Sequence, residues 1–166
     1  MTDEDEKAFD EFVAARSTAL LHTAVLVCGA SRHDAEDLVQ NALERIYRHW
    51  GRIQHDNPEA YARKVVVNLA INLYRRRRVI QEITFARPPD TLVHSPNLEL
   101  RDALLGELRR LPVRMRAVLV LRYWEDLSEA ETATLMGCSV GTVKSQAARG
   151  LARIRERMGT LEGVRG

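Results

Sequence analysis

Apolar residues recur at steps of three or four along most of this chain, which is the spacing that places them on one side of an α-helix. The clearest example begins at Asp34 and ends at Gly51, with apolar side chains on one face and polar ones on the other. The apolar face consists of Ala35, Leu38, Val39, Ala42, Leu43, Ile46, Tyr47 and Trp50. Similar runs over residues 8–28, 98–111 and 113–123 predict further helices, one or two of them in the first run. The pattern predicts an all-α fold.

A basic helix is predicted to follow Asn57. Pro58 suits its first turn, since the donor that proline lacks would be unpaired there anyway. Between Tyr61 and Arg78 the segment carries six basic residues and no acidic one. Its buried side is predicted to consist of Ala62, Val65, Val66, Leu69, Ala70 and Leu73. The basic end by itself is also explained by the helix dipole, which favours positive charge at a helix C-terminus.

The polar side of this basic helix combines tyrosine, asparagine and arginine side chains. Aromatic rings stack on unpaired bases for about 1–3 kcal/mol each, while arginines follow the phosphates. A base that leaves the duplex also needs hydrogen-bonding groups around its edge. Tyr61 and Tyr74 supply the rings, and Asn68 and Asn72 supply the amides. The combination therefore favours single-stranded DNA as a ligand.

Residues 127–157 have the pattern of a helix-turn-helix. Ser128 and Glu131 form the S-x-x-E capping box, in which each side chain satisfies a backbone donor at a helix start. Gly137 suits the left-handed conformation that closes a helix, and Ser139 can cap a second helix after a short turn.

The second helix of this motif is predicted to bury one stripe of side chains and to expose a basic front. The stripe consists of Val143, Ala147, Leu151, Ile154 and Met158. Four residues fall off it, namely Lys144, Ser145, Ala148 and Arg149. Such a front suits a recognition helix, in which arginine and lysine read guanine edges or pair with phosphates in the major groove. A helical hairpin with a solvated basic face is the plainer interpretation of the same pattern.

Residues 79–97 differ from the rest because they hold the densest cluster of turn-forming residues in the chain. This composition predicts a flexible linker between helical segments. We therefore predict two small helical domains, over residues 1–78 and 98–166, which the linker allows to contact separate sites on DNA.

The amino-acid composition excludes only a few classes of function. The chain has 166 residues, is 45% hydrophobic and carries a net charge of +2, which is too mild to indicate nucleic acid by itself. Cys28 and Cys138 are too few and too far apart for a disulfide scaffold or a metal cluster, so we expect both to be reduced packing residues. No stretch approaches the roughly 20 apolar residues of a membrane span, and the N-terminus is acidic, so we expect a cytoplasmic protein without membrane contact.

The C-terminal domain resembles the promoter-binding domain of extracytoplasmic-function (ECF) sigma factors, the small bacterial sigma factors that direct RNA polymerase. The resemblance rests on Arg122-Tyr-Trp-Glu-Asp-Leu-Ser-Glu-Ala-Glu-Thr-Ala and on Gly137-Cys-Ser-Val-Gly-Thr-Val-Lys-Ser. It implies recognition of the minus-thirty-five promoter element by Ser139, Thr142, Lys144, Ser145, Gln146 and Arg149. Thr132 and Ala147 stand where the family commonly has Ile and Leu, so we expect the core of this domain to contain less apolar side-chain volume.

The N-terminal domain resembles the other half of the same family. The segment that begins Asp34-Ala-Glu-Asp-Leu-Val-Gln is similar to the helix with which sigma factors grip the clamp coiled coil of the largest polymerase subunit. The resemblance implies a docking face made of Asp37, Gln40, Asn41, Glu44 and Arg48. From periodicity alone, these residues would form an ordinary solvated helix surface.

The basic helix resembles the segment with which these sigma factors melt promoter DNA and recognise the minus-ten element. In the family, an asparagine at the position of Asn68 lies beside the pocket for a flipped non-template base, and a basic run meets the DNA backbone. The residues implied here are Tyr61, Lys64, Asn68, Asn72, Arg75, Arg76 and Arg77.

The resemblance implies a sigma factor that binds the clamp and flap of core RNA polymerase and directs promoter-specific initiation on duplex and single-stranded promoter DNA. It implies no cofactor, metal or catalytic residue, and it admits an anti-sigma factor as a further partner. One alternative is a stand-alone helix-turn-helix regulator that binds an operator as a dimer, although no dimerisation stripe is evident. A nuclease or recombinase is disfavoured, because the five histidines are scattered and no carboxylate cluster shares a face.

Overall fold

The computed structural model describes residues 1–29, 31–83 and 96–165. Within these ranges the secondary structure is helical and contains no strand, which confirms the predicted all-α fold. The chain divides into two compact units, Met1–Val79 and Ile80–Gly166, which are called the first and the second unit below.

The first helix, α1, spans Asp3–Cys28 without interruption. It begins at a capping box, in which the Thr2 hydroxyl accepts from the Asp5 amide and the Asp5 carboxylate accepts from the Thr2 amide. Gly29 closes the helix in the left-handed conformation, with φ of 63°. The helix starts before the predicted residue 8, because the acidic run in its first turn complements the positive end of the helix dipole.

By length and composition, α1 is also apolar enough to cross a membrane, since it contains an 18-residue window with a mean hydropathy of 1.3. Such a window was not predicted from the sequence. In the folded chain 28% of this window is buried. The buried residues of α1 include Leu20, Ala24 and Val27, which belong to the core of the first unit.

The second helix, α2, spans Arg32–Ile53 and is capped by Ser31. Its buried face matches the predicted stripe except for Leu43, which is half-buried, and Tyr47, which is exposed. The helix continues past Gly51, where it was predicted to end. A single glycine costs a helix only about 1 kcal/mol, and Ile53 is anchored in the core.

An aromatic cluster joins α1 to α2. The Trp50 ring is 3% exposed, and its centroid lies 5.3 Å from that of Phe9 and 5.2 Å from that of Phe12. Tyr47 meets Phe9 edge-on at 5.0 Å. Such ring pairs contribute about 0.5–1.5 kcal/mol each beyond the area that they bury. The cluster therefore fixes how the two helices pack.

The third helix, α3, spans Pro58–Ile83. Its start is as predicted, and the Asn57 side chain accepts from the Ala60 amide at 3.0 Å. Its buried residues are Ala62, Val66, Val67, Ala70 and Ile71. Val65, Leu69 and Leu73, which were predicted to be buried, are only half-buried. The helix continues beyond residue 78 into the predicted linker, of which residues 84–95 lie outside the described ranges.

The second unit contains four helices and one wider turn in its described residues. They are α4 (Pro96–Arg110), α5 (Val113–Leu119), a π-helical turn (Val120–Trp124), α6 (Glu129–Met136) and α7 (Val140–Arg165). Residues 113–123 were predicted to form one regular helix, but the chain widens into the π-helical turn and leaves it through Asp126, whose φ is 55°. As a result Tyr123 and Trp124 are 58% and 54% exposed.

A buried arginine ties α5 to the end of α4. Arg116 is 0% exposed, and its guanidinium donates to the carbonyls of Leu108, Arg109 and Leu111 at 2.9, 2.7 and 3.0 Å. Carbonyls at a helix end lack partners within the helix, so this side chain acts as a C-terminal cap supplied from the next helix.

The helices α5 and α7 approach closely at Gly150. A Cβ atom at this position would lie 2.8 Å from Cδ1 of Leu119 and 3.2 Å from Cγ of Met115. The absence of a side chain on Gly150 therefore lets the middle of α7 pack directly onto α5.

Candidate nucleic-acid interface

The two helices of the helix-turn-helix are fixed by their own caps. At the start of α6 the Glu131 amide donates to the Ser128 hydroxyl at 3.0 Å, and the Ser128 amide donates to the Glu131 carboxylate at 3.1 Å. Gly137 ends α6 with φ of 66°. The Ser139 hydroxyl accepts from the Thr142 amide at 3.1 Å and so caps α7. The predicted caps and turn are confirmed.

The front of α7 exposes a basic surface. Lys144, Ser145 and Arg149 are exposed, whereas Val143 and Ala147 on the opposite side are buried. Within the described part of the chain, neither Lys144 nor Arg149 forms an ion pair. Both cations are therefore available to a ligand.

Ser139 and Thr142 lie exposed at the very start of this surface. Their hydroxyl oxygens are 2.9 Å apart, and the Ser139 hydroxyl also caps the helix. The two side chains are thus held rigidly at the helix N-terminus, where backbone amides and the helix dipole favour a phosphate.

Gln146 differs from the other predicted minus-thirty-five contacts. Its side chain is half-buried, and its Oε1 atom is buried without a hydrogen-bond partner in the described residues. The residue therefore lies at the border between the basic front and the core of the second unit.

Two small buried side chains contribute to the core beneath the helix-turn-helix. Thr132 is 0% exposed and its hydroxyl has no partner among the described residues, while Ala147 is 8% exposed. Farther along α7, three residues predicted to be buried are only half-buried, namely Leu151, Ile154 and Met158. This part of the stripe is more exposed to solvent than predicted, because α7 extends beyond the helices that pack against it.

In the first unit, the predicted docking face follows one side of α2. Its members are Asp37, Gln40, Asn41, Glu44 and Arg48, and all of them are exposed. Steps of three and four place them together on the helix, opposite Leu38, Ala42 and Ile46 in the core. The face is mixed in charge, and at its edge Nε2 of His33 lies 3.8 Å from the Asp37 carboxylate.

The predicted minus-ten residues follow one side of α3. Lys64, Asn68, Asn72, Arg75 and Arg76 are exposed. Tyr61, at the start of the same side, is half-buried, and its ring meets His49 of α2 edge-on at 6.3 Å. The helix thus presents a ring, two amides and several cations in one row.

Arg77 does not share this arrangement. Its guanidinium is paired with the Asp34 carboxylate of α2, and about a third of each side chain is exposed. The hydrogen bond from Arg77, and after it the one from Ser31, holds the pKa of Asp34 below its usual range. The structure therefore brings together all the predicted minus-ten residues except Arg77.

The described residues contain no group of three or more histidine, cysteine, aspartate or glutamate side chains that could hold a metal ion. Cys28 is buried and Cys138 is half-buried, and neither forms a disulfide within the described residues. The predicted binding residues described above lie on helix faces.

Comparison with known proteins identifies the chain. The family model for sigma-70 region 2 matches residues 13–79, and the model for sigma-70 region 4 matches residues 101–154. The RNA polymerase sigma-E factor of Streptomyces avermitilis is 38% identical over 153 residues, which cover 90% of this chain and 84% of that relative. The chain belongs to the sigma-70 family of RNA polymerase sigma factors. It is a sigma factor with both a region 2 and a region 4 domain.

One further relative is an ECF sigma factor, and one solved structure shares the fold. The ECF sigma factor SigM of Mycobacterium tuberculosis is 29% identical to this sigma factor over 158 residues, covering 95% of the chain and 80% of that relative. The sigma factor RpoE of Bartonella quintana, solved with the anti-sigma factor NepR, is 24% identical and shares the fold. The TM-score is 0.76, over 92% of this chain and 98% of that one.

Two features of this sigma factor were missed from its sequence. Asp34 was treated only as the start of a helix, although its position three residues after Ser31 marks it as a first-turn carboxylate with a capping partner. The exposure of Tyr123 and Trp124 was not foreseen, because the apolar spacing of residues 113–123 suggests an unbroken helix and carries no sign of a π-helical turn.

Proposed function

We propose that this sigma factor directs promoter-specific initiation through three helix faces with separate tasks. The α2 face binds core RNA polymerase, the α3 face opens the minus-ten element, and the front of α7 reads the minus-thirty-five element. The observation that carries the proposal is that each face is a continuous row of exposed polar side chains whose opposite side is core. Each row also falls inside the matched region 2 or region 4 segment.

At the minus-thirty-five element, Lys144, Ser145 and Arg149 enter the major groove and contact base edges. Ser139 and Thr142 hold a backbone phosphate at the helix N-terminus. Gln146 contributes less than the other predicted contacts, because its carboxamide oxygen is buried. This division of tasks follows from exposure, since an unpaired cation on a rigid helix can meet guanine without first breaking a contact.

At the minus-ten element, Tyr61 stacks on a base, Asn68 and Asn72 bond to the edges of captured bases, and Lys64, Arg75 and Arg76 meet phosphates. Each captured base offsets part of an unpairing cost of a few kcal/mol. Strand opening is therefore driven by binding, and no residue is assigned to turnover of a substrate.

On the polymerase side, Asp37, Gln40, Asn41, Glu44 and Arg48 bind the clamp coiled coil of the largest subunit, and the second unit contacts the flap. A face of mixed charge suits a specific protein partner, because each pair fixes register and opposes wrong partners. The surroundings proposed for this sigma factor are those of its polymerase, the cytoplasm.

An anti-sigma factor is a further partner that we propose for this chain. The support comes from solved sigma factors of the same fold that are bound to one, such as RpoE with NepR and CnrH with the cytosolic domain of CnrY. Such a partner would cover the same exposed helix faces that the polymerase requires.

The experiment that tests the proposal is transcription in vitro from fragmented genomic DNA, with purified bacterial core polymerase, in the presence and absence of this chain. Mapped RNA starts that depend on the chain and share two spaced upstream elements are the expected result. Sequence-specific DNA binding by the chain alone, without new starts, would instead support a dimeric operator-binding regulator.

A further inference from the structure

Arg77 differs from Arg75 and Arg76 because it has an ion-pair partner on α2. Its guanidinium is bound to the Asp34 carboxylate in the first turn of α2. Arg75 and Arg76, immediately before it, are exposed and have no ion pair within the described residues. Arg77 is thus engaged with another helix of the protein, while Arg75 and Arg76 face solvent.

Asp34 is itself held in place. Its carboxylate accepts from the Ser31 hydroxyl at 2.8 Å, and its amide donates to the same hydroxyl at 3.3 Å. The first turn of a helix also favours negative charge. The carboxylate that receives Arg77 is therefore pre-oriented by the cap of α2.

The pair lies where α3 is no longer buried in the core. The last buried residue of α3 is Ile71, and residues 72–80 are half-buried or exposed. This part of the helix carries Asn72, Arg75 and Arg76, which are proposed to meet the minus-ten DNA. The ion pair joins this end of α3 to α2 beyond the last buried residue.

We propose that Arg77 is a positioning residue, which together with Asp34 fastens the DNA-melting end of α3 to the polymerase-bound helix α2, and that it is not a DNA contact. Asp37, the first residue of the docking face, lies one turn beyond Asp34 on α2. Docking of α2 on the polymerase thereby determines where Arg75 and Arg76 meet the DNA. The inference rests on the proposed function for the placing of these two faces.

The test uses the holoenzyme, reconstituted from core polymerase and the full chain. The variants are Asp34→Asn, Arg77→Gln and the two combined. Two quantities are measured for each, namely the affinity for core polymerase and the fraction of open complex, reported by a fluorescent base on the non-template strand. Each single variant should reduce opening by about threefold to tenfold, the usual range for loss of a coupling contact, while core affinity stays unchanged.

The combined variant should be no worse than either single one, because both remove the same contact. The conservative variants Asp34→Glu and Arg77→Lys should give the same fraction of open complex as the wild type, since each keeps the ion pair. A partly exposed pair contributes little to overall stability, so circular dichroism should show that all variants remain folded.

Two matched controls separate positioning from direct contact. Arg76→Gln, at the neighbouring exposed arginine, should reduce opening, lower the salt slope of DNA binding by about 1, and add to the effect of Asp34→Asn. Glu36→Gln removes a nearby acidic residue of α2, whose ion pair among the described residues is with Arg32 on the same helix, and it should leave opening unchanged.

Unchanged opening in Asp34→Asn would overturn the proposal, since the ion pair would then have no role in opening. Increased opening would overturn it too, since Arg77 would then work better when released. A lower salt slope in Arg77→Gln would overturn it too, because that slope counts phosphate contacts. A wild-type holoenzyme that starts no transcripts would count against the proposed function instead, so the two failures are distinguishable.

Discussion

The two units of this sigma factor build their functional surfaces in opposite ways. In the first unit, helices of 26, 22 and 26 residues are held by an aromatic cluster and by ion pairs between helices, and the surface is divided between α2 and α3. In the second unit, the surface lies at the front of one helix and is set by caps and by the 8-residue α6. One surface depends on how distant segments pack, and the other depends on a short stretch of sequence.

The largest expected effect is on the aromatic cluster of the first unit. Trp50→Ala should lower the free energy of unfolding by about 3–5 kcal/mol, because it leaves a cavity among Phe9, Phe12 and Tyr47. Denaturant titration measures the loss. Trp124→Ala, at an exposed tryptophan of the second unit, should change it by less than about 0.5 kcal/mol, and equal losses would break the comparison.

Substitutions at the front of α7 should reduce discrimination between promoter sequences without reducing the stability of the fold. Lys144→Ala and Arg149→Ala should each reduce preference for the correct minus-thirty-five sequence by about 1–3 kcal/mol. Competition binding with mismatched promoter duplexes measures this, with the holoenzyme as the binding species. Arg155→Ala, at an exposed arginine farther along α7, is the control and should leave discrimination intact. A fall in core polymerase affinity for either front variant would show that α7 is misassigned.

The close approach at Gly150 should make the second unit intolerant of a single methyl group. Gly150→Ala should destabilise by about 1–2 kcal/mol, since overpacking against Leu119 and Met115 outweighs the helix propensity that alanine adds. Gly159→Ala on the same helix meets no atom within 4 Å and should stabilise by about 0.5–1 kcal/mol. Thermal unfolding of both variants tests the contrast, which fails if they shift the transition in the same direction.

The buried hydroxyl of Thr132 has no partner among the described residues, so a substitution at this position should stabilise the second unit. Thr132→Val keeps the shape of the side chain and removes a buried polar atom without a partner, so it should stabilise by about 1 kcal/mol. Thr134→Val, at an exposed hydroxyl that bonds to the Ala130 carbonyl, should have little effect. A loss of stability in Thr132→Val would mean that the hydroxyl has a partner after all, such as a buried water.

The smallest effect concerns a tie between the ends of α1 and α2. Gln54 donates to the Asp5 carboxylate at 2.6 Å and, with the Thr2 contacts, lowers the pKa of Asp5 from 3.8 to about 2. Because the folded pKa lies below the unfolded one, the tie stabilises the fold above pH 3.8 and is lost as pH falls towards 2. Gln54→Ala should move the NMR titration midpoint of Asp5 upward. An unchanged midpoint would mean that the contacts with Thr2, and not Gln54, lower the pKa of Asp5.

The helix-turn-helix of the second unit was largely predictable because its signals are local. Ser128, Glu131, Gly137 and Ser139 sit at fixed offsets that specify two caps and a turn, and the structure has each of these contacts. The exposure of Lys144 and its neighbours then followed from helix periodicity alone.

The first unit was predictable only in part, because its decisive contacts join segments far apart in sequence. Periodicity placed Asp37 and its neighbours on one exposed face, but it could not show that Arg77 meets Asp34 while Arg75 and Arg76 stay free. The same holds for Arg116 in the second unit, which no composition rule separates from the exposed arginines. Which cation is structural is decided by tertiary packing.

The placement of the two tryptophans gives each unit its own optical reporter. Trp50 is 3% exposed in the first unit and Trp124 is 54% exposed in the second. A water-soluble quencher such as iodide reaches the second indole and not the first, and the buried indole emits at shorter wavelength. Fluorescence can therefore follow the melting of one half of this sigma factor while the other half is engaged by polymerase or DNA, without any added label.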